Sequence, residues 1–217
     1  MQTIIVGGGT IDAAFLKQRI EDLPEAIILA ADRGMNALES IGRMPHCLMG
    51  DYDSIAPEVL AKVKASGTEV RTFPAEKDFT DTEAAILTAL DMGSDQIHLL
   101  GVTGGRLDHF LGVVQNLLIP YEKDVTAIIE DPSNRLFMVG DRSGLWKAEK
   151  ADLFGKYLSL IPITDQVTEV SLQGVKYPVD KMTLTKGSSL CVSNEVTEDV
   201  VTLEMSSGVV LVVLSSD

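Results

Sequence analysis

Two aspartates one residue apart, in Gly50-Asp51-Tyr52-Asp53-Ser54, have the residue types and spacing to bind a divalent cation. They follow a short apolar run, 46–49, that we interpret as a buried strand. A turn begun at Gly50 can aim both carboxylates at one point, whereas a strand would point them to opposite faces. Mg²⁺ is usually held by one or two carboxylates together with substrate phosphates. A surface turn that caps the next helix is the alternative, and the pattern by itself leaves both open.

A second acidic pair, Asp78 and Asp81, flanks the start of a predicted helix. Thr80 and Glu83 have the spacing of a capping box, and the apolar residues that follow predict the helix itself. Lys77, just upstream, is a natural partner for a phosphate group, and the two acids would form a second pair of metal ligands. The alternative for Asp81 is an acid that simply favours the helix dipole.

Glycines follow two other predicted strands. Gly7-Gly8-Gly9-Thr10 comes after the first strand and precedes a helix that Asp12 can cap, and Asp32-Arg33-Gly34 follows the second strand. A glycine turn at a helix N-terminus suits an anion, although a plain tight turn explains the first segment equally well. The first segment also lacks the glycine spacing of the dinucleotide-binding fingerprint.

The loop at residues 101–109 combines glycines with charged side chains. Gly104-Gly105 permits close approach of the backbone to a ligand, and Arg106 offers a planar fork for phosphate oxygens. Asp108, on the first turn of the next predicted helix, can accept hydrogen bonds from a substrate, while the role of His109 stays open. The alternative is a glycine-rich loop with a capping aspartate and a solvent-facing arginine.

These segments need elements that bring them together. Up to residue 130, predicted strands alternate with helical patterns, and the strands lie at 3–6, 26–30, 46–49, 70–73, 96–100 and 125–129. Loops that follow the strands of a parallel sheet gather at its carboxyl edge, where open α/β sheets bind ligands. The residues expected to converge there are Asp32, Asp51, Asp53, Asp78, Asp81, Asp108, Lys77 and Arg106. Their residue types predict Mg²⁺-dependent chemistry on a phosphate compound.

From Arg135 onward, short alternating runs between turns replace the helical periodicity. The predicted strands lie at 135–139, 157–161, 169–172, 182–184, 189–192, 200–205 and 209–214. We therefore predict an α/β plus all-β chain. An N-terminal Rossmann-like domain at 1–135 would have a mostly parallel sheet with flanking helices, and a β-sandwich would occupy 136–217.

Composition excludes some classes of partner. The 217 residues are 45% hydrophobic and carry a net charge of −14, which argues against a nucleic-acid partner because phosphates would be repelled. No stretch approaches the roughly 18 apolar residues of a membrane span. The N-terminus lacks a basic segment and a cleavage site, so we expect a cytoplasmic protein without a signal peptide. Cys47 and Cys191, in apolar segments, are predicted to be buried thiols.

The sequence resembles the thiamine pyrophosphokinases of the bacterial type. The motifs that carry the resemblance occur in the family's order over nearly the whole chain: Gly50 to Ser54, Glu76 to Asp81, Thr103 to His109, Gly174 to Pro178 and Gly187 to Glu195. Two positions depart from the family pattern. Tyr52 stands where phenylalanine is more common, and Arg33 stands where glycine or lysine is usual, so the role of Arg33 is open.

The resemblance implies that the enzyme transfers the pyrophosphoryl group of ATP to the hydroxyl of thiamine, giving thiamine diphosphate and AMP. It implies Mg²⁺ held on the triphosphate by Asp51, Asp53, Asp78 and Asp81, one of which, Asp78 or Asp81, also takes the hydroxyl proton. The groups that it implies around the ATP phosphates are Lys77, Arg106, Gly104, Gly105, Asp32 and Gly34. Lys77 and Arg106 would neutralise charge that spreads over the phosphate oxygens.

Members of the family are homodimers that hold thiamine between the α/β domain of one chain and the β domain of the other. The resemblance thus implies that Ser193 and Asn194 contact the pyrimidine from the second chain, while Asp108 faces it from the first. Two alternatives remain. A nucleotide-sugar transferase also uses an Asp-x-Asp turn, but it needs no second acid pair beside Lys77. A non-catalytic regulator that binds nucleotide or thiamine needs no intact set of four acids.

Overall fold

The first unit of the chain is built on six parallel strands. In this computed structural model, which describes residues 1–52, 55–72 and 78–217, the chain divides into Met1–Pro132 and Ser133–Asp217. The strands of the first unit are β1 (Gln2–Val6), β2 (Ile27–Ala31), β3 (Cys47–Gly50), β4 (Glu69–Thr72), β5 (Gln96–Leu100) and β6 (Thr126–Glu130). They lie in the order β4-β3-β2-β1-β5-β6, and every neighbouring pair is parallel.

Helices connect these strands. They are α1 (Ala13–Asp22), α2 (Gly34–Ser40), α3 (Pro57–Ala65), α4 (Asp81–Asp91), α5 (Leu107–Asn116) and the short α6 (Leu118–Tyr121). Asp12 caps α1 as predicted, because its carboxylate accepts a hydrogen bond from the Phe15 N–H at 2.7 Å. Pro57 begins α3, where its missing N–H costs nothing. Among the described residues, no helix is both long and apolar enough to cross a membrane.

The helices cover both faces of this sheet. Buried residues of α1, α2 and α3, such as Leu16, Met35 and Val63, form one core cluster with Ile4 and Val6 of β1. Because side chains alternate along a strand, the intervening residue Ile5 points to the opposite face. On that face α4 contacts β1, β2 and β3. Burial on both sides explains why β1, β2, β3 and β5 appear in the sequence as continuous apolar runs.

The second unit contains eight strands. They are β7 (Asn134–Gly140), β8 (Trp146–Glu149), β9 (Tyr157–Pro162), β10 (Gln166–Gln173), β11 (Val179–Thr185), β12 (Asn194–Glu195), β13 (Val200–Glu204) and β14 (Val209–Ser215). Within this unit the strand orders are β12-β9-β14-β7 and β11-β10-β13-β8, and all of these pairs are antiparallel. Leu160 and Val212 of the first set share a core cluster with Val170 and Leu203 of the second, which makes a sandwich.

The predicted fold class, α/β plus β-sandwich, is therefore confirmed. The chain divides after Pro132, close to the boundary after residue 135 that the sequence predicts. The predicted strand at 189–192 is wrong. There the Val192 N–H bonds the Ser189 carbonyl at 3.1 Å, which is the hydrogen bond of a turn, and the strand begins only at Asn194. The side chains of this segment do alternate in burial, as the sequence pattern suggested: Cys191 is buried, whereas Leu190 and Val192 on either side are exposed.

Candidate functional site

Four loops meet at the carboxyl edge of the parallel sheet. They follow β1, β2, β3 and β5. These strands end at the same level in the sheet, because Val6 at the end of β1 pairs with Ala30 of β2 and Leu100 of β5. Chain order reverses between β1 and β5, because β2, β3 and β4 lie to one side and β5 and β6 to the other. Such a switch point leaves a crevice at the strand ends, which is where open α/β sheets bind ligands.

The two glycine loops at this switch point are packed backbone against backbone. The Gly9 N–H donates to the Gly101 carbonyl at 2.8 Å, and the Thr10 N–H donates to the Gly104 carbonyl at 3.0 Å. A Cβ on Gly104 would lie 2.5 Å from the Thr10 carbonyl oxygen, so close packing requires this glycine. Gly105 is different: its φ is +127° and a Cβ would meet nothing within 4 Å. Of these two glycines, both predicted to bind phosphate, Gly105 is the one with open space beside it.

The loops that follow β2 and β3 also touch each other. Asp32 has a φ of +47°, and its N–H donates to the Met49 carbonyl at 2.8 Å. Gly50, at a φ of +145°, lies so close that its Cβ would be 3.4 Å from the Asp32 Cα. Gly34, another predicted phosphate-binding residue, is buried where a Cβ would fall 1.9 Å from the Val6 carbonyl oxygen. Asp32 thus lies beside the acidic turn, while Gly34 is required for packing α2 on β1.

Asp51 is exposed directly after β3, and Tyr52 behind it packs on the core cluster. The Tyr52 hydroxyl donates to the Leu48 carbonyl at 3.4 Å, and its φ of +65° marks a sharp turn. Burial raises the pKa of Tyr52, a hydrogen bond with Thr72 lowers it, and the charge of Asp81 raises it. Asp53, predicted to join this pair, lies outside the described residues.

The second acidic pair lies at the start of α4. Thr80 caps the helix, since its hydroxyl accepts from the Glu83 N–H at 3.1 Å. Asp78 is exposed just before the cap and Asp81 lies in the first turn, where a negative charge is favoured. Glu83 does not complete the predicted capping box with a bond to the Thr80 N–H; its carboxylate instead accepts from the Asn116 side chain at 3.0 Å. Lys77 lies outside the described residues.

Arg106 and Asp108 bond each other at the start of α5. The Arg106 Nη2 donates to Asp108 Oδ2 at 2.6 Å, and its Nε donates to Oδ1 at 3.1 Å. The His109 N–H also donates to Asp108 Oδ1, at 3.0 Å. The hydrogen bond from Arg106 is the main reason that the pKa of Asp108 falls to about 2. The predicted phosphate ligand and the predicted thiamine ligand are thus partners in this chain.

The second unit brings two sequence motifs together at Asn194. Asn194 is buried; its Oδ1 accepts from the Tyr177 N–H at 3.0 Å and its Nδ2 donates to the Tyr177 carbonyl at 2.8 Å. Next to it, Glu195 forms an ion pair with Lys176 at 3.0 Å. Ser193 is exposed at a φ of +58°, and its N–H donates to Ser159 Oγ at 2.9 Å.

Of the two residues predicted to contact the pyrimidine, Ser193 is therefore the one with an exposed side chain. The amide of Asn194 is engaged with the backbone of its own chain. Sequence reasoning did not select Tyr177, whose ring is 64% exposed on the segment that Asn194 holds. The signal was present in the Gly174-to-Pro178 motif, which was noted only as part of the family pattern.

The donor set at the edge of the parallel sheet fits Mg²⁺. Within residues 1–52, 55–72 and 78–217, no group of three or more His, Cys, Asp or Glu side chains is placed to hold a metal ion. Mg²⁺ does not require such a cage, because it commonly takes one or two protein carboxylates and completes its octahedron with water and phosphate oxygens. Asp51 and Asp81 supply hard oxygen donors: Asp51 directly follows β3, and α4, which begins at Asp81, contacts β3.

Both halves of the chain match known protein families. Residues 23–129 match the family model described as thiamin pyrophosphokinase, catalytic domain, and residues 147–210 match the one described as thiamin pyrophosphokinase, vitamin B1 binding domain. The thiamine pyrophosphokinase of Bacillus subtilis is 33% identical over 223 aligned residues, which cover 100% of each chain. Thiamin pyrophosphokinase 1 of Caenorhabditis elegans is 28% identical over 84% of this chain and 76% of its own length.

Solved structures agree with the sequence relatives. The crystal structure of thiamine pyrophosphokinase from Bacillus subtilis superposes with a TM-score of 0.88 at 30% identity, over 100% of both chains. That of thiamin pyrophosphokinase from Geobacillus thermodenitrificans gives 0.85 at 34% identity, over 100% of this chain and 98% of that one. The resemblance noted in the sequence is confirmed, and the chain belongs to the thiamin pyrophosphokinase family of enzymes.

Proposed function

We propose that this enzyme transfers the pyrophosphoryl group of ATP to thiamine in a Mg²⁺-dependent reaction. The hydroxyl oxygen of thiamine attacks the β-phosphorus, and the bond from that phosphorus to the oxygen bridging it to the α-phosphorus breaks. AMP leaves with that oxygen, and the hydroxyl proton passes to a carboxylate. The products are thiamine diphosphate and AMP.

One observation carries the proposal: acidic and glycine-containing loops converge at the switch point of the parallel sheet in a chain of this family. Asp32 lies beside Gly50, α4 with Asp81 at its start contacts β3, and the backbone at Gly105 is open. At this edge of the sheet the carboxylates can bind a metal ion, and the accessible backbone N–H groups can bind the phosphates of a nucleotide.

The acids have separate tasks in this proposal. Asp51, Asp78 and Asp81 would hold Mg²⁺, with Asp53 expected beside them from the sequence. When bound, the ion neutralises charge on the triphosphate and orients it. Asp78 or Asp81 accepts the hydroxyl proton. Both residues adjoin the N-terminus of α4.

Cationic side chains complete the phosphate site. Arg106 has a planar guanidinium that matches phosphate oxygens, and Lys77 is expected to contribute a point charge. Asp32, Gly34, Gly104 and Gly105 line the same edge. Gly34 and Gly104 act by letting the loops pack, and Gly105 by leaving the backbone accessible. Such catalysis consists mostly of positioning and electrostatic stabilisation, because the phosphoryl group itself needs little covalent help.

The sandwich unit is proposed to bind the pyrimidine of thiamine in a homodimer. Ser193 offers an exposed hydroxyl, and Asn194 holds the Tyr177 segment next to it. Asp108 of the other chain would face the same ring. Light scattering on a sizing column tests the dimer, whose predicted mass is twice 23.4 kDa. The cytoplasmic location stays a prediction.

The decisive experiment is product analysis after mixing the protein with ATP, Mg²⁺ and thiamine. Formation of AMP in step with thiamine diphosphate is the expected result. ADP with thiamine monophosphate would show attack at the γ-phosphorus and overturn the proposed reaction. Ligand binding without consumption of ATP would indicate a regulator, and the proposal would then be wrong.

A further inference from the structure

The bidentate ion pair between Arg106 and Asp108 joins two groups that the proposed function assigns to different substrates. Both side chains are exposed, Arg106 by 74% and Asp108 by 63%, yet the guanidinium takes up both carboxylate oxygens, at 2.6 and 3.1 Å. In this arrangement the two N–H groups that bond Asp108 are unavailable to phosphate. Equally, the charge of the carboxylate is compensated before any cationic ligand reaches it.

Exchange of this pair for substrate contacts requires little rearrangement. An ion pair in water is weak, because solvent replaces each partner readily. The guanidinium stays charged at all working pH values, so the exchange involves no proton transfer. Arg106 directly follows Gly105, whose φ of +127° and open surroundings leave room for a triphosphate. A triphosphate, with several negative charges, attracts the guanidinium more strongly than one carboxylate does.

Asp108 keeps its place when Arg106 leaves. Its Oδ1 also accepts from the His109 N–H at 3.0 Å, a bond made within the first turn of α5. The released carboxylate therefore remains on the helix, ionised and open on its Oδ2 side. Asp108 is proposed to face the pyrimidine of thiamine, whose exocyclic amino group can donate a hydrogen bond to a released carboxylate oxygen. The uncompensated carboxylate also attracts the permanent positive charge of the thiazolium ring more strongly than a neutral ion pair does.

We propose that the Arg106–Asp108 pair is a latch that couples the binding of the two substrates. In the free enzyme Arg106 masks Asp108. The triphosphate of the nucleotide draws Arg106 away, and the unmasked carboxylate then binds thiamine. This inference rests on the proposed function, because it assigns Arg106 to ATP and Asp108 to thiamine. By linkage, each substrate then tightens the binding of the other by the same factor.

The test is a calorimetric titration of the intact protein with thiamine in Mg²⁺, with and without an ATP analogue that has a methylene bridge between the α- and β-phosphorus atoms. This analogue blocks the proposed bond cleavage. Because the pair is exposed, we expect the analogue to lower the Kd of thiamine by about fivefold, at the lower end of typical coupling factors.

Variants separate the latch from a general effect of nucleotide on the site. In Arg106→Gln the carboxylate is already unmasked, so thiamine should bind without analogue as tightly as it binds the parent enzyme with analogue. Arg106→Lys keeps the charge but loses the fork, and it should retain part of the coupling. Arg43→Gln, which changes an exposed arginine in the loop before β3, should keep the full factor and serves as the control.

Three results would contradict the latch. Equal thiamine Kd values with and without analogue in the parent enzyme would overturn it while leaving the proposed reaction intact, provided that AMP and thiamine diphosphate are formed. Undiminished coupling in Arg106→Gln would also overturn it, because the effect would then come from another group. Failure of thiamine to bind under any condition, together with no AMP formation, would overturn both the latch and the proposed function.

Discussion

The side chain of Asn194 is bonded to the backbone of Tyr177 at both ends, with its Oδ1 accepting from the Tyr177 N–H and its Nδ2 donating to the Tyr177 carbonyl. The same Oδ1 accepts from the Glu195 N–H at 3.0 Å. One buried amide therefore joins β12 to the segment before β11. We predict that Asn194 positions the Tyr177 segment and affects thiamine binding through it.

Asn194→Ala should destabilise the protein by about 2 kcal/mol, because it removes two hydrogen bonds between this buried amide and the Tyr177 backbone, each worth about 1 kcal/mol. The measurement is the midpoint of urea unfolding, followed by the fluorescence of Trp146 in the same unit. Ser189→Ala, an exposed change in the preceding turn, is the matched control and should leave the midpoint unchanged. Equal midpoints for Asn194→Ala and the parent protein would show that these bonds contribute nothing.

Gly34→Ala should prevent normal packing of α2, because the added Cβ would lie 1.9 Å from the Val6 carbonyl oxygen. The Val6 backbone cannot move aside as a flexible side chain can. We therefore expect the free energy of unfolding to fall by several kcal/mol, as in a large core disruption. Gly112→Ala in α5 is the control. Its Cβ meets nothing within 4 Å, and the helix propensity of alanine should raise stability by about 0.5–1 kcal/mol. Thermal melting compares the two variants, and a Gly34→Ala protein that melts with the parent would refute the clash.

Asp81→Asn should lower the rate of AMP formation by about 10²–10³, the cost of losing one electrostatic contact to the reacting group. Asp51→Asn should lose a similar factor, since both are proposed ligands of the same ion. Asp91→Asn, at the exposed end of the same helix, keeps the fold and should retain full activity. The assay is steady-state kinetics at saturating ATP and Mg²⁺. Full activity of Asp81→Asn would show that Asp81 is not a metal ligand or catalytic residue.

Cys47 should react very slowly with iodoacetamide in the folded protein. Burial raises the pKa of its thiol to about 11, so at pH 8 only about one thiol in a thousand is ionised. Burial also raises the pKa of Cys191, and both cysteines are free. Peptide mass spectrometry should find slow alkylation of both in buffer and fast alkylation in urea. Rapid labelling of Cys47 alone in buffer would contradict its burial.

The sign of the pH effect follows from the raised pKa. The folded state favours the neutral thiol of Cys47, so its contribution to stability is fully present below the pKa of the unfolded chain, near 9. It is lost as the pH rises from there through about 11. Unfolding midpoints measured between these limits should fall with rising pH, and Cys47→Ala should reduce the fall.

Asp108 should titrate near pH 2, because hydrogen bonds from Arg106 and the His109 N–H favour its ionised form. A depressed carboxyl pKa stabilises the fold above the pKa of the unfolded chain, and this contribution is lost as the pH falls from about 4 towards 2. Carbon-detected NMR of the side-chain carboxyl measures the titration directly. In Arg106→Gln the midpoint should move up towards the ordinary value, whereas Arg43→Gln should leave it in place. If the Asp108 midpoint is unchanged in Arg106→Gln, Asp108 does not form the ion pair with Arg106 in solution.

Elements whose signals are local were predictable from the sequence. Asp12 caps α1 as predicted, because a capping carboxylate bonds a backbone N–H only three residues further along the chain. The strands β1, β2, β3 and β5 appeared as apolar runs because both faces of the sheet are buried there. The family motifs likewise consist of neighbouring residues, so they were visible in the linear sequence.

Contacts between distant residues were decided only by the tertiary structure. Thr10 and Gly104 touch through their backbones, and the sequence could not tell such a packing glycine from one that faces a ligand, such as Gly105. Glu83 had the spacing for a capping box, yet it bonds Asn116, because a side-chain partner 33 residues away is better placed than the Thr80 N–H. Periodicity and caps depend on neighbours along the chain, whereas the direction in which a carboxylate or amide bonds depends on which distant backbone the fold brings beside it.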